Sequence, residues 1–338
     1  MNADTELRQA LETALGRQGG RAVRITSFER RPSAYRTSAA LEEIDVELDE
    51  GARLEIMFKD ASLEAQHEGA RRTKPGFLHN PLREIETYRQ VLAAHRLGTA
   101  ACYGAVVDRP RGRYWLFLER VPGIELYQVG ELAVWQRVAA WLAGMHRTLA
   151  EARAPARAHA AHALRHDAAH YRLWLDRARR FFPDDDTPET DDIARGLAWL
   201  APRHDHVIDR LMALPATFLH GEFYASNVLV QETAGGLRVC PIDWEMAAVG
   251  PPLMDLAALT AGSWSEEDRG AIAAAYYAAL PPRARPWARQ EDFMADLACC
   301  RIQVAVQWLG WFGRRQAPSE HAQDWLGDAL RAARQIGL

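Results

Sequence analysis

Three polar side chains in two short segments have the residue types that phosphoryl transfer requires. Glu222 is followed five residues later by Asn227 in the segment HGEFYASN, and Asp243 follows in the segment IDWE. A carboxylate can accept the proton of a substrate hydroxyl, whereas an amide and a second carboxylate offer the oxygen ligands that Mg²⁺ prefers. The sequence therefore predicts Glu222 as the catalytic base and Asn227 and Asp243 as catalytic metal ligands.

These two segments resemble the phosphotransfer core of the aminoglycoside phosphotransferase and choline kinase-like family. The family's catalytic loop reads His-Gly-Asp-x-x-x-x-Asn, and Glu222 stands here in place of the aspartate. By motif the resemblance covers residues 59–257, including Asp255, which in the family bonds back to the catalytic loop. It implies an α+β, protein-kinase-like fold of two lobes, with a small N-terminal antiparallel sheet lobe and a larger, mainly helical C-terminal lobe.

Lys59 is the predicted contact for the nucleotide phosphates. It ends a predicted strand, and it is one of only two lysines in the chain, the other being Lys74. In the family, a strand lysine held by a glutamate of the next helix neutralises phosphate charge. The family's Glu-x-x-x-Tyr spacing matches Glu84, and Glu86 is the alternative partner for the lysine.

Two further segments are assigned to the nucleotide through the same resemblance. Residues 32–37 lack the Gly-x-Gly-x-x-Gly pattern, so their backbone N–H groups and the hydroxyl of Ser33 or Thr37 would have to bind the phosphates. Glu119 and Val121 lie in a stretch that resembles the family's hinge segment, whose backbone groups hydrogen-bond the adenine edge. The implied cofactors are ATP or GTP together with Mg²⁺.

The hydrophobic pattern predicts a strand-rich beginning and a helical remainder. We expect a nucleotide-binding lobe over residues 1–119, a hinge over 120–123 and a helical lobe with the catalytic loop and acceptor site over 124–338. The expected strands are 22–28, 44–48, 53–58, 105–108, 114–119, 217–219, 227–230 and 237–242. The expected helices are one through Leu7, Leu11 and Leu15, one from residue 81, and those at 131–150, 162–181, 191–213, 266–279, 291–312 and 322–336, with a loop at 60–80.

Composition excludes several classes of partner. The net charge of −4 and the pI near 6.3 give no indication of a nucleic-acid or membrane-surface partner. The four cysteines show neither metal-ligand nor disulfide spacing. No signal-peptide pattern and no run of about 18 apolar residues is present, so we expect a cytoplasmic protein.

Three other patterns are interpreted as structural. The histidines His159, His162, His166 and His170 recur at helical spacing, which we interpret as a solvated helix face. The acidic residues at 184–192 are interpreted as an exposed loop, although they could attract a cationic substrate. Trp308, Trp311 and Phe312 suit a core helix, with an acceptor-pocket lining as the alternative.

The sequence thus favours a kinase that transfers the γ-phosphoryl group of ATP or GTP to a hydroxyl of a small molecule. Candidate acceptors are an aminoglycoside or other antibiotic, a sugar, or an amino alcohol such as choline, because no short motif encodes the acceptor. The alternative is a nucleotide-binding pseudokinase with a regulatory role, in which Glu222 marks weakened chemistry. The presence of Lys59, Asn227 and Asp243 argues for the enzyme.

Overall fold

The computed structural model describes residues 3–35, 39, 41–153, 161–182, 188–313 and 323–338. The chain divides into two compact units, Met1–Gly123 and Ile124–Leu338. Within the described residues, no helix is both long enough and apolar enough to span a bilayer.

The first unit is an antiparallel sheet covered by one helix. Its elements are α1 (Ala3–Gly19), β1 (Ile25–Pro32), β2 (Leu41–Leu48), β3 (Arg53–Asp60), β4 (Cys102–Asp108) and β5 (Arg113–Glu119), and the strand order is β1-β2-β3-β5-β4. The predicted stripe of Leu7, Leu11 and Leu15 on α1 is buried. It packs in one apolar cluster with alternate residues of the sheet, such as Ile44 and Ile56, so one face of the sheet forms the core.

The segment after β3 is more ordered than its polar sequence indicates. It contains α2 (Glu68–Thr73) and a 3₁₀ turn at Gly76–Leu78, so the prediction of a loop over residues 60–80 is wrong there. No residue of α2 is buried, and a six-residue helix without an apolar face leaves no periodic signal. The next helix, α3 (Pro81–Glu86), begins where predicted, with proline in its first turn and Asn80 as its N-cap.

Helices dominate the second unit. They are α4 (Leu132–Glu151), α5 (Ala168–Phe181), α6 (Pro188–Leu200), α7 (His204–Ala213), α8 (Leu253–Leu259), α9 (Glu266–Ala279), α10 (Gln290–Phe312) and α11 (Trp325–Gln335). The helix α10 packs against α5, α7, α8 and α11, and it is buried on nearly all sides from Phe293 to Gly310. An apolar helix without a polar face is the pattern expected at the centre of such a bundle.

Two predicted helix boundaries are wrong. The helix predicted over 191–213 is two helices, α6 and α7, joined by a 3₁₀ turn at Ala201–Arg203 that contains Pro202. Proline lacks the N–H that a helix interior needs, and the helix therefore breaks at this turn. The apolar spacing continues across the break, so the periodicity alone predicted a single helix. The helix predicted from residue 162 begins instead at Ala168, where the side chain of Asp167 caps it.

Short strands of the second unit hold the two candidate catalytic segments. They are β6 (Ile124–Glu125), β7 (Leu164–Arg165), β8 (Thr217–Leu219), β9 (Val228–Thr233), β10 (Gly236–Pro241) and β11 (Ala248–Gly250), in two sheets of order β10-β9-β6 and β7-β11-β8. Residues 220–227 connect β8 to β9, and residues 242–247 connect β10 to β11. Both segments therefore leave the ends of strands, where a rigid scaffold can position loop side chains.

Candidate active site

Gly221 fixes the start of the catalytic loop. Its φ is +90°, and a Cβ at this position would lie 2.0 Å from the carbonyl oxygen of Met246. A side chain there would be strained and would also displace the backbone of the second segment. The loop can therefore approach residues 242–247 closely only with glycine at this position.

His220 connects the two candidate catalytic segments. It is fully buried; its Nε2 donates to the carbonyl of Ile242 at 2.8 Å, and its Nδ1 accepts from the backbone N–H of Glu222 at 3.3 Å. Burial lowers the pKa of His220 below its usual range, which keeps the ring neutral with one donor and one acceptor nitrogen. His220 thus braces the loop.

Asn227 closes a second link between the same segments. Its Nδ2 donates to the carbonyl of Glu222 at 3.0 Å, and its own carbonyl accepts from the N–H of Ile242 at 2.9 Å. The amide nitrogen is therefore used within the loop, and Oδ1 is the side-chain atom suited to a cation. An oxygen in this position fits a hard divalent metal.

Asp243 adopts a backbone conformation that side chains rarely take. Its φ of 62° and ψ of 61° lie in the left-handed region, at the start of a 3₁₀ turn over Trp244–Met246. Such a conformation costs about 1 kcal/mol or more and persists where the surrounding structure enforces it, often at functional sites. The candidate residues Glu222, Asn227 and Asp243 thus lie in two connected segments of one unit, and each side chain is partly exposed.

Asp255 anchors the loop from α8. Its carboxylate accepts from the backbone N–H groups of His220 at 2.8 Å and Gly221 at 2.9 Å. The side chain is 1% exposed, so the two donors compensate part of the cost of removing the carboxylate from water. The contact that the family resemblance implied is therefore present in this chain.

In the first unit, Lys59 and Glu84 form a buried ion pair. The Lys59 Nζ lies 2.6 Å from Glu84 Oε2, with side chains 5% and 3% exposed. Lys59 comes from the penultimate position of β3 and Glu84 from the first turns of α3. Glu86 instead pairs with Arg89 at 3.2 Å and with Gln90, so Glu84 is the partner that Lys59 has in the structure.

The remaining nucleotide candidates lie in the first unit with partners of their own. Ser33 is buried; its Oγ donates to Glu43 Oε1 at 3.2 Å and accepts from the N–H of Tyr35 at 3.2 Å. Glu119 donates its N–H to the carbonyl of Ala101 at 2.8 Å, and the Val121 carbonyl accepts from Gly123 at 2.9 Å. The alternative hydroxyl, that of Thr37, lies outside the described residues.

Arg120 is a structural residue of this region that sequence reasoning missed. Its guanidinium pairs with Glu43 at 2.8 Å, Asp45 at 3.0 Å and Glu55 at 2.8 Å, and it is 19% exposed. Because Glu43 also accepts from Ser33, one carboxylate connects the segment of Ser33 with that of Glu119 and Val121. The sequence shows alternating charged residues on two strands, but it does not show which strands are neighbours. The ion pairs of Arg120 could therefore not be predicted.

The interpretation of the histidine series as a solvated face is wrong for His166. That residue precedes α5, is 6% exposed and packs its Cβ against Gly250, so β7 and β11 cover it. The ring of His170 stacks on that of His166 at 4.6 Å, and its Nε2 accepts from Trp174 Nε1 at 3.1 Å. Of the other two, His162 is partly exposed and His159 lies outside the described residues.

These two histidines predict a loss of stability in mild acid. Burial lowers the pKa of His170 to about 4 and that of His166 well below its usual range. The unfolded chain binds protons below about pH 6.5, whereas the folded chain does not until near the lowered pKa, so stability falls as pH decreases from 6.5 toward 4. We expect His170→Gln, which keeps an acceptor for Trp174, to reduce the loss between pH 7 and pH 5 by about 1 to 2 kcal/mol. Urea unfolding at the two pH values measures this, and an unchanged loss would contradict the assignment.

The aromatic residues of α10 form a packed stack rather than an open wall. Trp308 is 8% exposed, and its ring stacks with those of Phe312 and Trp325, each with a distance of 5.3 Å between ring centroids. Its Nε1 donates to the hydroxyl of Tyr224 at 2.6 Å, which ties α10 to the catalytic loop two residues after Glu222. Trp311 stacks on Trp174 and is partly exposed.

The interpretation of the acidic segment 184–192 as an exposed loop is wrong for its second half. Residues 188–192 belong to α6, whereas residues 184–187 lie outside the described residues.

Comparison with known proteins gives one family and a consistent set of folds. The sequence profile of the phosphotransferase enzyme family (APH) matches residues 70–290, about two thirds of the chain. No curated protein matches the chain at a significant level.

Three solved structures illustrate the likeness. Choline kinase LicA from Streptococcus pneumoniae is 14% identical with a TM-score of 0.55, over 98% of this chain and 99% of its own. Aminoglycoside phosphotransferase APH(3'')-Id from Streptomyces rimosus, in complex with ADP and streptomycin, is 17% identical with a TM-score of 0.51, over 90% and 98%. Amicoumacin kinase hAmiN, in complex with AMP-PNP, Ca²⁺ and Ami, is 12% identical with a TM-score of 0.58, over 99% of this chain and 93% of its own. At these identities the likeness concerns the fold, and it confirms the predicted α+β, protein-kinase-like class.

Proposed function

The chain belongs to the phosphotransferase enzyme family and transfers a phosphoryl group to an alcohol, and we propose that it uses ATP or GTP with Mg²⁺ to phosphorylate a small molecule. The observation that carries this proposal is the hydrogen-bonded link between the two catalytic segments. His220 and Asn227 each contact both Glu222 and Ile242, so the residue before Asp243 is fixed relative to Glu222. Loose transition states of phosphoryl transfer depend on such positioning more than on strong basicity.

In this proposal the three candidate side chains have two tasks. Glu222 orients the acceptor hydroxyl and takes its proton late in the transfer. Asn227 Oδ1 and the Asp243 carboxylate would hold Mg²⁺, which neutralises charge on the phosphate oxygens when bound. The amide orientation of Asn227 and the exposure of both side chains fit this role.

The nucleotide contacts are proposed for residues of the first unit. Lys59, fixed by Glu84, would neutralise phosphate oxygens, and the backbone of Glu119 and Val121 would bind the base. Ser33 is still proposed to bind the phosphates through the backbone of its loop, although its hydroxyl donates to Glu43. A lysine removed from water beside one carboxylate can give its remaining donors to a second anion.

Lys59→Met tests the nucleotide role. We expect it to lower kcat/KM for ATP by about 10²-fold, because the methionine fills the space but removes the charge from the phosphates. Glu84→Gln should lower the same constant less, since the lysine keeps its charge but loses its ionic partner. Steady-state ADP release as a function of ATP concentration gives both values.

The chain itself supplies a matched control in its second lysine. Lys74 lies at the end of α2 and carries no proposed role, so Lys74→Met should leave kcat/KM within about twofold of the wild type. Equal losses in Lys59→Met and Lys74→Met would show that the effect is one of general charge and would remove Lys59 from the site.

The acceptor is proposed to bind the helical unit near Glu222. The structural relatives bear the names of choline, aminoglycoside and amicoumacin kinases, and we take amino alcohols, sugars and hydroxyl-bearing antibiotics as the candidate classes. A screen of these classes for ATP consumption in the presence of Mg²⁺ tests the proposal. Acceptor-dependent ADP release with a phosphorylated product detected by mass spectrometry supports it, whereas nucleotide binding without turnover for water or any acceptor favours the pseudokinase alternative.

A further inference from the structure

We propose that His146 is a positioning residue for the catalytic loop, acting through Asp255. This inference rests on the proposed function, because it concerns how the loop that carries Glu222 is held. His146 lies on α4, 74 residues before His220 by the sequence numbering, and no motif of the active site includes it.

The contact is a direct hydrogen bond between buried groups. The His146 Nε2 lies 3.1 Å from Asp255 Oδ2, and the side chains are 3% and 1% exposed. The same Oδ2 accepts from the backbone N–H of His220 at 2.8 Å, while Oδ1 accepts from that of Gly221 at 2.9 Å. One carboxylate thus receives three donors, and two of them belong to the backbone that immediately precedes Glu222.

Tyr276 orients the histidine ring. Its hydroxyl lies 3.0 Å from His146 Nδ1, and it is 1% exposed on α9. Burial raises the pKa of Tyr276 above its usual range, so the hydroxyl remains protonated and can donate to Nδ1. When Nδ1 accepts this bond, Nε2 is the ring nitrogen that carries a proton and donates it to Asp255 in the hydrogen bond.

The backbone of His146 is held to the same region. Its carbonyl accepts from Thr217 Oγ1 at 3.1 Å, and Thr217 begins β8, the strand that leads into the catalytic loop. His146 therefore holds β8, the strand before the catalytic loop, through its carbonyl. Through its ring it holds Asp255, which anchors that loop. Residues of three helices, His146 of α4, Asp255 of α8 and Tyr276 of α9, are thus joined in one chain of hydrogen bonds.

The energetic consequence of losing the histidine follows from burial. A buried carboxylate that loses one of its donors keeps the full cost of desolvation, and it can recover a donor only by moving or by admitting water. Either response shifts the N–H groups of His220 and Gly221, whose positions determine that of Glu222. A displacement of about 1 Å in a reacting group can lower a rate by about 10²-fold.

The test uses four variants of the full-length protein. His146→Leu keeps the volume and removes the donor, and His146→Gln places an amide N–H near the position of Nε2. Tyr276→Phe removes the hydroxyl that sets the tautomer. His204→Leu is the matched control, because His204 is a histidine 2% exposed that bonds to Gln303 at 2.9 Å and has no contact with the loop among those described.

Two measurements are made on each variant. Hydrogen exchange reports the amides of His220 and Gly221, and steady-state kinetics reports kcat and the KM for ATP. We expect His146→Leu to speed exchange at these two amides and to lower kcat by roughly 10- to 100-fold, with KM for ATP changed by less than about threefold. His146→Gln should restore most of both quantities, Tyr276→Phe should give a smaller loss, and His204→Leu should change neither.

The outcomes separate this inference from the function itself. Equal effects of His146→Leu and His204→Leu on exchange and on kcat would overturn the positioning role. If the leucine variant does not fold, His146→Asn, whose amide is too short to reach Asp255, is compared with His146→Gln, and equal behaviour of that pair overturns the role. If the exchange pattern holds but the wild type transfers no phosphoryl group, the contact stands and the proposed function fails.

Discussion

Replacing Asp243 with alanine is expected to lower kcat for phosphoryl transfer by about 10³-fold or more. Asp243 has a left-handed backbone conformation, and the N–H of the preceding residue, Ile242, donates to the carbonyl of Asn227 in the catalytic loop. Alanine removes the carboxylate proposed to bind the metal without adding volume. The measurement is ADP release with saturating ATP at several Mg²⁺ concentrations, together with the Mg²⁺ dependence of nucleotide binding by calorimetry.

An exposed aspartate of the same unit provides the control for Asp243. Asp209 lies on α7, and Asp209→Ala should leave both the rate and the Mg²⁺ dependence of binding unchanged. Alanine tolerates the left-handed conformation less well than aspartate does, so a thermal denaturation curve accompanies the kinetics to separate a loss of stability from a loss of catalysis. If Asp243→Ala bound nucleotide with the same Mg²⁺ dependence and turned over at the wild-type rate, Asp243 would not be a metal ligand.

Glu222→Gln is expected to lower kcat by about 10² to 10⁴-fold with little change in KM for ATP, because the amide cannot accept the hydroxyl proton. Glu222→Asp tests the reach of the side chain. The N–H of Glu222 donates to His220 and its carbonyl accepts from Asn227, so the backbone is held on both sides. It cannot readily advance to compensate for a carboxylate that is about 1.5 Å shorter, and we expect a loss of about 10²-fold.

The same pair of variants distinguishes the enzyme from the pseudokinase alternative. A working site built around glutamate loses activity with aspartate, whereas a site that has lost its chemistry gains activity when the aspartate typical of the family is restored. Pre-steady-state measurement of ADP formation separates the chemical step from product release. A rate that rises in Glu222→Asp and stays at the wild-type level in Glu222→Gln would contradict Glu222 as the base.

Much of the fold could be predicted because its signals are local. The apolar stripe on α1, the proline at the start of α3 and the strand β8 before the catalytic loop each follow from residues a few positions apart. The order of the motifs along the chain indicated the family, and the family profile confirms it over residues 70–290. The roles of the individual site residues stay predictions until they are tested.

The elements that sequence reasoning missed depend on partners distant in the chain. His146 and Asp255 are 109 residues apart, and nothing in the segment AGMHRTL indicates a buried carboxylate opposite the histidine. The strands β7 and β11 have two and three residues, which is too short for an alternating pattern to appear. His166 was wrongly placed on a solvated helix face because it precedes α5 and is buried through its contact with Gly250 of β11.

The most direct test of the central claim is to follow ATP by ³¹P nuclear magnetic resonance in the presence of the purified protein and Mg²⁺. We predict Mg²⁺-dependent loss of the γ-phosphate signal, slow with water as acceptor and faster with the correct hydroxyl compound, in proportion to enzyme concentration and abolished by chelation of the metal. Loss of ATP at the enzyme-free rate, or at the same rate in the wild type and in Asp243→Ala, would contradict the claim that residues 220–243 catalyse phosphoryl transfer.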